Sequence, residues 1–143
     1  ISQAREKALT GGITRIYFSQ QDALDLSFKQ GIFDMIVCTN VFMTMDSMES
    51  VRKALVSMSR VCRKGATICF DYRNASNPHV RLKYRLAPMY DSTIKRRNVN
   101  AYRPDEISRA LSEARMSVIS RQCIGLPLLR DLAPVVIIKA QKI

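Results

Sequence analysis

Apolar positions recur every three to four residues across the segment 46–62, where Met48, Val51, Leu55, Met58 and the pair Val61 and Cys62 share one face. That period predicts an amphipathic helix. Asp46 and Glu49, three apart, have the spacing of an N-terminal capping arrangement. Arg63, Lys64 and Gly65 suit the other end, where cations meet the negative helix pole and glycine can take a positive φ. The pattern changes on both sides of this helix. Residues Phe33–Cys38 (FDMIVC) form an apolar run with one acid, as in a strand buried on both faces. Residues 66–72 (ATICFDY) alternate β-branched, apolar and aromatic side chains and predict another strand. Strand, helix and strand over 33–72 make one βαβ unit, with parallel strands and a right-handed crossover.

The flanking segments extend this α/β pattern. Ala4, Ala8 and Leu9 mark one face of a first helix, which Gly11 and Gly12 stop. Residues 13–18 (ITRIYF) read as a short strand. Residues 73–103 have no clear period. Pro104-Asp-Glu-Ile opens a helix with proline at its first position, and Ile107, Ala110, Leu111 and Ala114 mark its buried face. Met116–Ile124 reads as a strand, Gly125-Leu-Pro as a turn, and 133–140 (APVVIIKA) as a strong final strand. There is no internal repeat and no interdomain linker, so the chain reads as a single domain.

Composition narrows the class. The 143 residues are 47% hydrophobic and 24% charged, which is globular composition rather than disorder. No apolar run approaches the ~20 residues that span a bilayer. Cys38, Cys62, Cys69 and Cys123 form no C-x-x-C, and His79 is the one histidine, so a Cys/His zinc site is not expected. Reduced thiols favour a cytoplasmic location. The chain opens on Ile, in what reads as the middle or end of a helix, with nothing like a signal peptide.

The net charge of +11 is uneven. Residues 1–72 carry nine basic and seven acidic side chains, whereas 73–143 carry fourteen and five. Between residues 73 and 103, eight basic side chains face one acid, Asp91. Such a field attracts anions: nucleic acid, anionic lipid, or phosphorylated or carboxylated small molecules. Tyr84, Leu86, Met89, Tyr90 and Ile94 are interleaved with these charges, so the segment is expected to pack rather than trail as a tail.

The order of motifs over 21–72 resembles the middle of class I S-adenosylmethionine-dependent methyltransferases, close to the type 11 group. It comprises Gln21-Asp22-Ala23-Leu24-Asp25-Leu26-Ser27-Phe28, then Phe33-Asp34-Met35-Ile36-Val37, Thr39-Asn40-Val41-Phe42, and Ser59-Arg60-Val61-Cys62-Arg63-Lys64-Gly65. Tyr102-Arg103-Pro104-Asp105-Glu106-Ile107 is similar to the start of the family's penultimate helix, and the last two strands to its closing hairpin. The resemblance implies a Rossmann-like sheet, mostly parallel with an antiparallel last strand. Arg115-Met116 stand where the family commonly has Gly-Phe, and Ser27 where it often has Pro. The family's glycine-rich turn is absent, since none of Gly11, Gly12, Gly31, Gly65 and Gly125 forms G-x-G. The resemblance therefore implies that the N-terminal strand–helix–strand is missing here and lies upstream. A gap would then fall in the sheet unless residues 13–18 pair directly with Phe33–Cys38.

What the resemblance implies for function is methyl transfer from S-adenosyl-L-methionine. It gives Asp22 the adenine amino group, Ala23 an adenine ring nitrogen through its backbone N–H, and Thr39, Asn40 and Val41 the wall of the cofactor pocket. Residues 73–103 would be an insertion capping the acceptor. Tyr72, Arg73, Arg81, Tyr84 and Tyr90, with Lys83, Arg85, Lys95, Arg96, Arg97 and Tyr102, would meet an anionic or aromatic molecule. Asp71 ends a strand on the acceptor side, as a base, an orienting group or a plain hydrogen-bonding residue. Three readings stay open: an enzyme acting on an anionic small molecule, an enzyme acting on nucleic acid, and an inactive binding module of the same fold.

Overall fold

The structure, a computed structural model, describes residues 1–90, 100–125 and 130–143. Its elements are α1 (Ser2–Thr10), β1 (Phe33–Cys38), α2 (Met48–Val61), β2 (Cys62–Arg73), α3 (Pro78–Tyr90), α4 (Pro104–Glu113), β3 (Met116–Ile124) and β4 (Val135–Lys142), with single 3₁₀ turns at Phe42–Thr44 and Arg130–Leu132. The four strands form one sheet in the order β1-β2-β4-β3. β1 and β2 are parallel, and β4 runs antiparallel to both of its neighbours, β2 and β3. Three strands thus point one way and the last opposes them, as the resemblance implies.

Alternation along β2 builds the core. Ala66, Ile68, Phe70 and Tyr72 are buried on one face, while Thr67, Cys69, Asp71 and Arg73 are half-buried on the other. α2 and α4 cover the first face and touch each other across it. Val51, Leu55 and Met58 of α2, Ile107 and Leu111 of α4, and Val136 and Ile138 of β4 join the same cluster. Leu55 is fully buried, and burying a side chain of that size contributes about 1.5–3 kcal/mol.

Several expectations need correction. Residues 13–18 form no strand: Ile13 and Ile16 are exposed and Tyr17 is wholly so. β-propensity measures fit to a half-buried sheet surface, and no neighbouring strand lies beside this segment among the described residues. β1 is consequently an edge strand. Met35 and Val37, 55% and 62% exposed, line its outer face, so it is not buried on both faces. Ala8 is buried in α1 but Leu9 is exposed.

The ends of α2 also differ. Its N-cap is Ser47, whose Oγ accepts from Ser50 N–H at 3.1 Å. Asp46 stands one residue outside and accepts from the Ser50 hydroxyl at 2.5 Å. A serine one position later does the capping because its short hydroxyl reaches the third backbone N–H. At the other end the chain turns extended at Cys62 and goes straight into β2, so Arg63, Lys64 and Gly65 belong to the strand. The open carbonyls are met by Lys142 of β4, whose Nζ donates to Ser59 O and Cys62 O at 2.8 Å each. α4 begins as its sequence predicts, with Pro104 in its first turn and the Glu106 carboxylate accepting from Arg103 N–H at 2.8 Å.

Candidate active site

The carboxyl ends of parallel strands are where open α/β sheets bind ligands. Here the ends of β1 and β2 bring together Asn40, Asp71 and Arg73. Asn40 follows β1 in a left-handed conformation, φ 57°. Its backbone N–H donates to Asp71 Oδ1 at 2.6 Å. Arg73 donates from Nη1 to Asp71 Oδ2 and from Nη2 to Asn40 Oδ1, both at 3.1 Å. The Asp71 and Arg73 side chains are 12% and 20% exposed. Val41 follows, half-buried against the core, and its carbonyl accepts from Thr44 N–H and hydroxyl. Thr39 is exposed.

A second segment returns to the same end. Asn100 N–H donates to Met43 O at 2.7 Å, and its side-chain amide to Met45 O at 2.6 Å. Tyr102 OH donates to Met45 O at 2.9 Å and its N–H to Arg73 O at 2.9 Å, while Ala75 N–H donates to Tyr102 O at 3.0 Å. Residues 100–102 are thereby tied to both the post-β1 turn and the end of β2. Burial pushes the Tyr102 phenol up to about 12 and keeps it a donor, with Asp46 and Glu106 adding to the shift.

Two asparagines fix the start of α3. Asn74 is fully buried; its Nδ2 donates to Asp131 O at 2.8 Å and Ala133 O at 3.0 Å, and its Oδ1 accepts from Ser76 N–H at 2.9 Å. Asn77 Oδ1 accepts from Val80 N–H at 2.9 Å, and its Nδ2 donates to Leu132 O. Sequence reasoning missed Asn74, Asn77 and Asn100. Asn77 before Pro78 has the signature of a helix start. Beyond it, α3 and residues 100–101 wall a hollow of about 640 Å³ that includes Arg81, Leu82, Tyr84, Arg85 and Asn100. Arg81 also lines a smaller hollow of about 380 Å³ with Ser76 and Arg103. Arg81 and Arg85 are exposed and have no ion-pair partner among the described residues.

The remaining predicted residues are distributed around this site. Asp22 is exposed, and its Oδ1 accepts from Leu24 N–H at 2.9 Å in a local turn. Ala23 is half-buried against the core cluster that Val41 also touches. The segment behind them is tied to α2, with Leu26 N–H on Ser57 Oγ at 2.9 Å and Arg60 donating to Phe28 O at 3.0 Å and to Leu26 O. Tyr72 points to the opposite face from Arg73, into a cleft beside Ile107, Leu111 and Arg121, so the structure does not join it to Arg81 and Tyr84. Burial pushes its phenol up to about 12. Tyr90 closes α3, but its side chain, like Lys95, Arg96 and Arg97, lies outside the described residues. Among the described residues no group of three His, Cys, Asp or Glu could hold a metal ion, and no helix is long and apolar enough to cross a membrane.

A family model described as methyltransferase domain matches residues 1–118. No curated protein matches the sequence. Solved structures similar over the whole chain include a SAM-dependent methyltransferase from Methanosarcina mazei, at 18% identity and TM-score 0.73, covering 100% of this chain and 77% of that one. A second, from Clostridium acetobutylicum, has 13% identity and TM-score 0.73 over 99% of this chain and 70% of that one. A third is magnesium protoporphyrin IX methyltransferase from Synechocystis with bound S-adenosylhomocysteine, at 12% identity and TM-score 0.72 over 100% of this chain and 59% of that one. At these identities the likeness is one of fold. With the family match over most of its length and the strand order built above, this chain belongs to the methyltransferase domain family and has the fold of the class I S-adenosylmethionine-dependent methyltransferases.

Proposed function

We propose that the protein transfers a methyl group from S-adenosyl-L-methionine to an anionic small molecule in the cytoplasm, with residues 73–103 as the cap over that acceptor. The carrying observation is the hollow of about 640 Å³ beside the strand ends, with Arg81, Tyr84 and Arg85 on its wall. Two guanidinium groups without carboxylate partners among the described residues suit a carboxylate or phosphate, and a tyrosine ring suits an aromatic body. No acidic side chain is among that hollow's described lining residues.

The described residues fit the adenosine side of the cofactor. Asp22 uses one carboxylate oxygen on Leu24 N–H and leaves the other without a partner among the described residues, as an acceptor for an amino group. Ala23 and Val41 offer half-buried apolar surface on one core cluster. The Asn40 side-chain NH₂ donates to nothing among the described residues. When bound, the cofactor supplies a methyl group already activated on a sulfonium. The protein's own task is orientation and exclusion of water. On this reading, Asp22 and Ala23 hold one end of the donor, the 39–41 loop lines its flank, and Arg81 with Arg85 fixes the acceptor.

The test is calorimetric titration of the protein with S-adenosylhomocysteine, followed by radiolabelled methyl transfer to a panel of phenolic and amino carboxylic acids. Binding, and transfer confined to carboxylate-bearing acceptors, is expected. Absence of binding heat would sink the reading. Transfer to nucleic acid, with affinity falling steeply as salt rises, would replace the small-molecule acceptor with a polyanion.

A further inference from the structure

Asn40, Asp71 and Arg73 form a closed ring of hydrogen bonds at the strand ends. Asp71 Oδ1 accepts from Asn40 N–H at 2.6 Å, Asp71 Oδ2 accepts from Arg73 Nη1 at 3.1 Å, and Arg73 Nη2 donates to Asn40 Oδ1 at 3.1 Å. Both oxygens of Asp71 are engaged, which leaves it poorly placed to take a proton from an acceptor. Both terminal nitrogens of Arg73 point into the ring, so its charge neutralises Asp71 instead of reading an anion. Neither residue is in the hollow walled by Arg81 and Arg85.

The residue they hold is the one that needs holding. Asn40 has φ 57°, a region L-residues seldom adopt, though asparagine tolerates it best. A carboxylate accepting a backbone N–H is a charge-assisted bond, strongest when partly shielded from water, as this pair is. The ring reaches the loop from β2, on the half-buried face of the sheet. It therefore fixes the loop through strand β2 and not through the loop's own packing. The Asn40 side-chain NH₂, which donates to nothing among the described residues, is then aimed by the ring.

We propose that Asp71 and Arg73 are positioning residues, a latch that holds Asn40 left-handed and sets the 39–41 loop against the cofactor; this rests on reading that loop as a cofactor wall. The latch explains why an acid and an arginine stand two apart at the end of a strand whose other face is buried from Ala66 to Tyr72. It also moves Arg73 from direct contact with the acceptor to indirect support of the donor.

The experiment uses the full chain, with S-adenosylhomocysteine affinity and amide hydrogen exchange read on the same variants. Asp71→Ala should weaken affinity about tenfold and speed exchange at Asn40 about tenfold or more, with exchange at Ile68 and Val136 unchanged. Asp71→Asn keeps an acceptor for the Asn40 N–H but sets an amide NH₂ against Arg73 Nη1, donor to donor, and should lose less affinity than Asp71→Ala. Arg73→Gln, which leaves Asp71 Oδ1 in place, should fall between them. Asp71→Ala binding as wild type does, or accelerated exchange spread to Ile68 and Val136, would overturn the latch while leaving the cofactor reading intact. A wild-type chain that binds no S-adenosylhomocysteine would overturn the cofactor reading and the latch's role together.

Discussion

Lys142 and Cys62, eighty positions apart in sequence, meet where α2 turns into β2: the ammonium of one donates to the carbonyl of the other at 2.8 Å. The same ammonium donates to Ser59 O, so one side chain from β4 satisfies two carbonyls at the end of α2. The bond also ties the helix to a strand two places away in the sheet order from β1. Lys142→Met keeps most of the aliphatic stem and removes both bonds. It is expected to cost about 1–3 kcal/mol, because charged donors at a helix C-terminus also offset the negative pole. The urea midpoint checks this, and an unchanged midpoint would contradict it.

Asn74 should be among the most sensitive polar positions. It is fully buried, and its side chain serves Asp131 O, Ala133 O and Ser76 N–H. Asn74→Ala strands those groups away from water and should cost about 2–4 kcal/mol. Asn74→Asp presents a carboxylate to two carbonyl oxygens and should be at least as damaging at pH 7. Thermal melts of the two variants compare them directly; a harmless Asn74→Asp would mean the carbonyls have another donor.

Alkaline titration should find Tyr72 and Tyr102 late. Tyr72 and Tyr102 are both pushed up to about 12 by burial. A raised phenol favours the neutral folded form, so its contribution to stability is whole below the ordinary value near 10 and is lost as pH rises through about 12. Phenolate absorbance is expected to show Tyr72 and Tyr102 ionising only as the pH approaches about 12. Tyr102→Phe should remove one of them and, through the lost bond to Met45 O, about 1 kcal/mol. Full ionisation of Tyr72 and Tyr102 below pH 11 would refute it.

Arg81 borders both hollows beside α3. Arg81→Gln is expected to raise KM for an anionic acceptor about tenfold, with S-adenosylhomocysteine affinity unchanged. A drop in cofactor affinity instead would assign Arg81 to the donor side.

Much of this fold is legible in the sequence where one periodicity dominates. Met48, Val51, Leu55 and Met58 mark α2, and Ile107 with Leu111 marks α4, because each stripe faces the sheet and nothing competes with it. The segment 13–18 fails for the opposite reason: its β-branched side chains promise a strand, but a strand needs a neighbour. α3 has no clean stripe in its alternation of Arg, Lys, Leu and Tyr, and only Asn77 before Pro78 signals its start. At the site, the resemblance picks out Asn40 and Arg73 by position, but not the bond between them. Hydrogen bonds across thirty-odd residues, such as Asn40 to Asp71, are set by sheet register and leave no local pattern.

The strand order has a consequence for how the molecule is made. β4 lies between β2 and β3 yet follows both in the chain, pairing Ile68 with Ala140 and Val118 with that same Ala140. As the chain emerges from the ribosome, β3 has no partner until β4 follows it, and the unit of β1, α2 and β2 must wait with one edge of β2 open. Sheet closure is therefore a late step spanning some seventy residues of chain, which makes these strands slow to pair and exposes them to wrong partners in the interval.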